Sequence, residues 1–307
     1  MRSEFLPLFL TRDRRGALVS CFFKFWAFLG GFLQELLFSK SVAMFMIKPL
    51  CSLLAVSLFS AFPSLAEEGF VPLFDGETLN GWTSARALAG KESAYSVDAE
   101  EKAIHVYAGC EADSKQGTDC LNTEVEFSHY ILKLEYKWLD KRFAPRQEFD
   151  RDAGLLFHVH GDLKKIWPLS LEMQIGESPA DKSKGKGKDG RFHSGDLFVL
   201  GKELRVDTKR KGGYYHPEGE NRTGRSYPTN LGTEKPHGEW NEMEIRVHGS
   251  EKATFVFNGE VVHEITNFTQ KNEAGEKVPL EKGRIGLQAE WAELMYRNIR
   301  IKELKPE

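Results

Sequence analysis

The sequence has little net charge, no convincing long helical period, no internal repeat and no linker that would divide it. Lysine and arginine (42) nearly balance aspartate and glutamate (45), so the net charge of −3 does not favour a nucleic-acid or anionic-membrane partner. A Gly-rich phosphate loop and a Ser/His/Asp order are also absent. What remains is an ordinary globular composition, 41% hydrophobic, with enough apolar residues for a sizeable core.

The residues up to Ala66 have the pattern of a targeting segment. Met46-Ile47-Lys48 is a short basic start, and the apolar run after it is too short to span a bilayer. Ser64 and Ala66 then occupy the small-residue cleavage positions. This pattern predicts a signal peptide over residues 44–66 and export to the periplasm or the extracellular space. The mature chain, residues 67–307, is expected to form one domain.

Residues 1–43 do not fit this pattern. They are apolar but carry Lys24 and Glu35, which makes them a poor membrane span. We interpret them as an upstream extension, with translation starting at Met44 or Met46. The alternative is a genuine N-terminal anchor. In the mature chain, no stable membrane span is expected.

Export leaves two cysteines, Cys110 and Cys120, which flank the loop "GCEADSKQGTDC". An even pair in an oxidising compartment, close in sequence, predicts a local disulfide. The alternative interpretation is two free thiols in a loop.

Strand patterns follow one another along the mature chain. Apolar and polar residues alternate with a period of two in many short segments, and Asn258-Gly259 is suited to a tight hairpin turn. Many short antiparallel strands joined by loops predict an all-β fold of two antiparallel sheets, a sandwich or jelly roll.

Three of these strands have unusual polar faces. In "PLSLEMQIGE" one face is apolar, and the other carries Ser170, Glu172 and Gln174. A second strand offers His158 and His160, and "RIGLQAEW" offers the set Arg284, Gln288 and Glu290. A plain solvated face is typically rich in lysine, and these faces have none. They predict a shared binding site, with a wet sheet surface as the alternative.

The ordered motifs resemble a known family. "LFDGETLNGW" at Leu73–Trp82 and "IGLQAEWAELMYRNIRI" at Ile285–Ile301 carry the resemblance, which covers nearly all of residues 69–304. The chain resembles the 3-keto-disaccharide hydrolase domain family, which implies a concanavalin A-like jelly-roll fold. Asp152-Ala153-Gly154 and His158 depart from the Asn-Ser-Gly and arginine of many members. The chain is closer to a branch with the residues Trp167-Pro168, Glu172, Gln174, Gly195-Asp196 and Phe198.

The resemblance implies hydrolysis of 3-keto-glycosides or 3-keto-disaccharides by base-assisted elimination and hydration. The C3 ketone makes the C2 proton acidic, so a base, an acid and a donor for the enolate oxygen are needed. Our candidates for catalysis are Glu172, His158 and Glu290. Candidates for substrate binding are Gln174, His160, His193, Asp196, Arg284 and Gln288, of which Arg284 or His193 could stabilise negative charge.

Several alternatives stay open. An ordinary glycosidase would use two carboxyl groups, here Glu172 with Glu290 or Asp196. A non-catalytic, lectin-like carbohydrate-binding module would use the same face, and a structural protein of the cell envelope would make protein contacts instead. A divalent metal is a further hypothesis, with zinc held by His158, His160 and Glu172, or calcium held by Asp150, Asp152 and Asp196.

Overall fold

A computed structural model describes residue 67 and residues 69–177, 194–210, 213–215, 223–226 and 233–306. The predicted signal peptide, the upstream extension and His193 lie outside these residues. The described part contains eighteen strands and one four-residue helix. They are β1 (Val71–Pro72), β2 (Trp82–Ser84), α1 (Ala85–Leu88), β3 (Tyr95–Asp98), β4 (Ala103–Val106), β5 (Asp119–Thr123), β6 (His129–Arg142), β7 (Asp152–His160), β8 (Leu169–Gly176), β9 (Leu197–Leu200), β10 (Arg205–Arg210), β11 (Gly213–Tyr215), β12 (Thr223–Ser226), β13 (Asn241–His248), β14 (Lys252–Phe257), β15 (Glu260–Lys271), β16 (Lys277–Pro279), β17 (Arg284–Ala289) and β18 (Ala292–Glu303).

These strands form two antiparallel sheets. The larger has eleven strands in the order β11-β10-β15-β14-β13-β6-β18-β4-β3, with β1 paired to β18 and β16 paired to β15. The smaller has seven strands in the order β12-β9-β8-β7-β17-β5-β2. The prediction of an all-β sandwich of the jelly-roll type is confirmed. No helix in the described part of the chain is long and apolar enough to cross a bilayer.

Strand alternation builds the core between the sheets. In β6, the apolar members Leu132 and Leu134 are fully buried, whereas Lys133 and Glu135 between them are only half-buried. In β8, Leu171 faces the same core. Each side chain of this size contributes about 1.5–3 kcal/mol when it leaves water. Because the core claims the apolar face of β8, its polar face must lie on the outer side of the smaller sheet.

The outer side of the smaller sheet is partly covered. Cys120, Leu156 and Val159 project from it and pack with Ala85 of α1 in a small second apolar cluster. Ile166, in the connection between β7 and β8, packs against this cluster. The helix α1 and the connection between β7 and β8 therefore lie beside the polar side chains and enclose one side of them.

The predicted disulfide is wrong, because Cys110 and Cys120 are both free. Cys120 is fully buried in the small outer cluster, and its thiol donates to Asn122 Oδ1 at 3.3 Å. Cys110 is half-buried and packs against the main core instead. The two thiols therefore belong to different apolar clusters, despite their closeness in sequence.

Candidate functional site

The polar faces of β8, β7 and β17 meet because these three strands are neighbours in the smaller sheet. Glu172 of β8 and Gln288 of β17 both extend over Gly154 of β7, which stands between them. A Cβ atom at Gly154 would overlap the Oε1 atoms of both side chains. Glycine is therefore required at this position for spatial reasons, and the two polar side chains share the space it leaves.

A cavity of about 970 Å³ opens above this face. Its floor carries Asp152, Glu172, Gln174 and Glu290, and an apolar wall is formed by Ile166, Trp167, Leu169, Phe198 and Leu200. Trp167 is 47% exposed, so much of its ring surface is open to a ligand. Acidic and amide groups beside an exposed aromatic ring are typical of carbohydrate sites, since they bind the hydroxyl groups and the C–H faces of a sugar.

Asp152 and Glu290 form a carboxyl pair at one end of the floor, where a bridge joins the two residues across β7 and the end of β17. Arg146 Nη1 lies 2.7 Å from Asp152 Oδ2 and 3.8 Å from Glu290 Oε2. Gln174 Nε2 donates to the other oxygen of Asp152. Trp167 Nε1 donates to Glu290 Oε1 at 2.5 Å. Asp152 therefore has a cation and an amide donor, whereas Glu290 has an indole donor.

The three floor carboxyls have raised pKa values. Burial and the neighbouring charge of Asp152 raise the pKa of Glu290 to about 8. Burial, and then the charges of Glu290 and Asp152, raise the pKa of Glu172 well above its ordinary range. Burial also raises the pKa of Asp152, but contact with Arg146 opposes this increase. Burial therefore favours the protonated form of all three carboxyls, and contact with the Arg146 cation opposes this most directly at Asp152.

Gln288 adds an unsatisfied amide to the same face. The residue is 1% exposed, and neither Oε1 nor Nε2 forms a hydrogen bond of normal geometry with the described residues. The amide does interact with the Glu172 carboxyl, where it opposes the rise in pKa, and its remaining hydrogen-bonding capacity is available to a ligand or a bound water. Gln288 lies deeper than the residues that line the cavity.

His158 is not on the polar face, and the prediction that it lies there is wrong. The β7–β8 register shifts between Phe157 and His160, and His158 adopts a φ of 51° within this irregularity. The imidazole turns inward onto Phe157 and Phe268, and Nε2 lies 2.9 Å from the Gly249 carbonyl oxygen. Burial lowers the pKa of His158 to about 4, so the ring is neutral and structural.

The other predicted binding residues divide between the site and its surroundings. Arg284 lies at the opposite end of β17 from Glu290 and pairs with Glu126 at 3.3 Å, so it does not join the floor. His160 is half-buried with Nδ1 2.8 Å from the carbonyl oxygen of His158, and it is also outside the cavity. Asp196 is fully buried; its carbonyl oxygen accepts from Gln174 N at 2.9 Å, and its charge helps to raise the pKa of Glu172.

The metal hypotheses do not match the arrangement of the ligands. Within the described residues, no group of three or more histidine, cysteine, aspartate or glutamate side chains is placed to hold an ion. The candidate zinc ligands are separated from one another, because His158 points into the core and Glu172 points into the cavity.

Two residues of the site were not predicted for it. Trp167 was noted only as part of a family motif, and Arg146 was not singled out. Asp152 was considered as a calcium ligand and as a departure from the family motif, although it alternates with the buried Ala153 and Leu155 and so belongs to the same face as Gly154. That alternation could have identified Asp152, whereas Arg146 and Trp167 lie in loops where periodicity gives no direction.

Comparisons with known proteins agree with the sequence motifs. The profile of a family described as the 3-keto-alpha-glucoside-1,2-lyase-like domain matches residues 69–302. No curated protein matches the sequence.

Solved structures with a similar fold are distant in sequence. A candidate glycosyl hydrolase from Parabacteroides distasonis ATCC 8503 is 18% identical, over 78% of this chain and 95% of its own, with a TM-score of 0.45. A carbohydrate binding module from Bacillus subtilis is 11% identical, over 73% and 96%, with a TM-score of 0.39. A Bacillus subtilis protein of unknown function with a galectin-like fold is 15% identical, over 78% and 96%, with a TM-score of 0.39. Similarities at this level do not assign a function.

Proposed function

Because the chain belongs to the 3-keto-alpha-glucoside-1,2-lyase-like family, we propose that it cleaves the glycosidic bond of 3-keto-glycosides. The reaction is an elimination across C1 and C2, followed by addition of water. The observation that carries this proposal is the floor of the cavity, where three buried carboxyl groups with raised pKa values, one of them paired with Arg146, lie beside an exposed tryptophan. The predicted signal peptide favours a reaction outside the cytoplasm.

Asp152 is the base in this proposal. Its carboxylate takes the C2 proton, and the electron pair of the C2–H bond forms an enolate with the C3 carbonyl. Arg146 and Gln174 hold Asp152 in place and favour its ionised form before the reaction. Its raised pKa makes it a stronger base than an exposed aspartate.

Glu172, one of the catalytic candidates from sequence, is the donor to the enolate in this proposal. Its raised pKa keeps it protonated, so it can donate a hydrogen bond to the C3 oxygen as negative charge develops there. The Gln288 amide beside it has hydrogen-bonding capacity for the same sugar or for a bound water.

Glu290 is the acid in this proposal. The enolate re-forms the C3 carbonyl as the C1–O bond breaks, and Glu290 transfers its proton to the departing oxygen. A pKa of about 8 leaves this proton present at neutral pH and still transferable. Water then adds across the resulting C1–C2 double bond. Trp167 fixes Glu290 Oε1, and its open ring face can stack on the sugar.

A direct test compares variants on a 3-keto-glucoside with a chromogenic aglycone. We expect Asp152→Asn and Glu290→Gln each to lower kcat by about 100-fold or more while binding is retained. The matched control is Glu273→Gln, because Glu273 is exposed in the turn between β15 and β16 and does not line the cavity. Its kcat should be unchanged.

Two results would contradict the proposal. If wild type releases no aglycone from any 3-keto-glycoside but binds sugars, the protein is a lectin-like module, which was the alternative from sequence. If Asp152→Asn and Glu290→Gln keep full turnover, the elimination uses other groups.

A further inference from the structure

Basic side chains surround the mouth of the cavity above its acidic floor. The cations that line it are Arg86, Lys91, Lys164, Lys165 and Lys202. One carboxylate, Asp162, stands among them. They come from three separated segments, namely α1 and the residues after it, the β7–β8 connection and the residues after β9. This concentration of positive charge occurs in a chain whose net charge is −3, so composition does not explain it.

Four of these five cations form no ion pair within the part of the chain that the structure describes. Among the described residues, Lys91, Lys164 and Lys165 form no ion pair, and the guanidinium of Arg86 donates to the Gly117 carbonyl oxygen at 3.5 Å. Lys202 lies 3.9 Å from the exposed Glu203.

Lysines on the outer side of the larger sheet behave differently. Lys133 contacts Glu67 at 2.6 Å and Glu244 at 3.3 Å, and Lys137 contacts Glu101 at 2.9 Å. These two lysines of the larger sheet are therefore paired with carboxylates. At the mouth of the cavity, Lys91, Lys164 and Lys165 are available to bind a negatively charged ligand.

The floor cannot be the partner of these cations. Arg146 Nη1 already contacts Asp152 at 2.7 Å, Trp167 Nε1 donates to Glu290, and burial raises the pKa of both Glu172 and Glu290. An anion would be repelled by ionised Asp152 at the bottom and attracted at the mouth. The two ends of the cavity therefore differ in charge: the floor suits a neutral ring, and the mouth suits a negatively charged group.

We propose that the natural substrate is an anionic glycoside, whose neutral 3-keto ring lies on the floor and whose leaving group carries a carboxylate or sulfate held by the basic rim. The location of the 3-keto ring on the floor rests on the function proposed above. The preference for a negatively charged leaving group can be measured without turnover. The rim groups are exposed and act through water, so their effect on affinity should be sensitive to salt.

The experiment compares 4-carboxyphenyl and 4-carbamoylphenyl glucosides, which differ in charge and hardly in shape. Ordinary glucosides are used for calorimetric binding, and the 3-keto forms are used for turnover. We expect the carboxylate to bind about tenfold more tightly at low salt, with the preference shrinking as ionic strength rises. A 4-(sulfooxy)phenyl glucoside, which carries an aryl sulfate ester, should show the same preference over the neutral amide if sulfate serves as well as carboxylate.

A double charge reversal, Lys164→Glu with Lys165→Glu, should abolish the preference for the carboxylate. The matched control is Lys277→Glu with Lys305→Glu, which changes the net charge equally at two exposed lysines that do not line the cavity. The control should keep the preference.

Equal binding of the charged and neutral glucosides by wild type would overturn the proposal, as would a preference that survives in the Lys164/Lys165 variant. If that variant fails to fold, the salt dependence of wild type still decides, because a preference independent of salt contradicts a basic rim. A charge preference in binding without turnover of either 3-keto form would disprove the elimination and leave the rim assignment standing.

Discussion

Replacing Gly154 by alanine perturbs the floor without removing any polar group from it. The new Cβ would overlap the Oε1 atoms of both Glu172 and Gln288. Carbon and oxygen atoms without a bond between them need roughly 3.5 Å, so each side chain must move by about 1 Å or more. A displacement of that size at reacting groups lowers kcat by about 100-fold.

The same substitution should cost little stability. Overpacking costs about 1–3 kcal/mol, and here the displaced side chains can move toward an open cavity. For a domain of this size, that corresponds to a fall in Tm of about 2–10 °C. The measurements are kcat on a 3-keto-glucoside and thermal unfolding followed by circular dichroism.

Gly117→Ala is the matched control. Gly117 lines the same cavity, and a Cβ there would have Arg86 Nη1 as its nearest heavy atom, at 3.9 Å. Its kcat and Tm should remain close to those of wild type. If Gly154→Ala retains wild-type kcat, Glu172 and Gln288 need not occupy their observed positions, and the proposed donor role of Glu172 is refuted.

Two further predictions follow from burial. The pKa of Glu172 in the folded protein is raised above its ordinary 4.5, so the folded state holds the proton more tightly than the unfolded state does. The stability that comes from this tighter proton binding is lost as pH rises above 4.5. Glu172→Gln should therefore raise stability relative to wild type by roughly 1–3 kcal/mol near pH 8 and much less near pH 5, as measured by urea unfolding. An equal effect at both pH values would contradict the buried acid. In peptide mapping without reductant, Cys110 should be alkylated in the folded protein and Cys120 only after unfolding; a peptide linked through both would contradict the free thiols.

Strand periodicity predicted the sandwich and the inner part of the site. The alternation in β8 correctly placed Glu172 and Gln174 opposite Leu171, because β8 is regular from Ser170 to Ile175 and the core claims one face. The same reasoning placed Gln288 beside Glu172, since β17 is regular over that stretch.

Periodicity failed where the strands are irregular. The register shift in β7 turns His158 to the core, and another shift between Arg284 and Gly286 accompanies the separation of Arg284 from the floor. A shift of one residue reverses the face of every side chain beyond it, and nothing in "GLLFHVHG" marks where it occurs. Arg146 and Trp167 could not be placed because loop residues have no period.

The connection from Gly161 to Pro168 has a consequence for how specificity can change. It supplies Lys164, Lys165 and Trp167, which make up much of the mouth and the apolar wall. None of these three belongs to the core between the sheets. Exchange of Lys164 and Lys165 alone can thus adapt the entrance to a new leaving group while the floor and the sandwich are unchanged, whereas exchange of Trp167 would also remove the donor to Glu290.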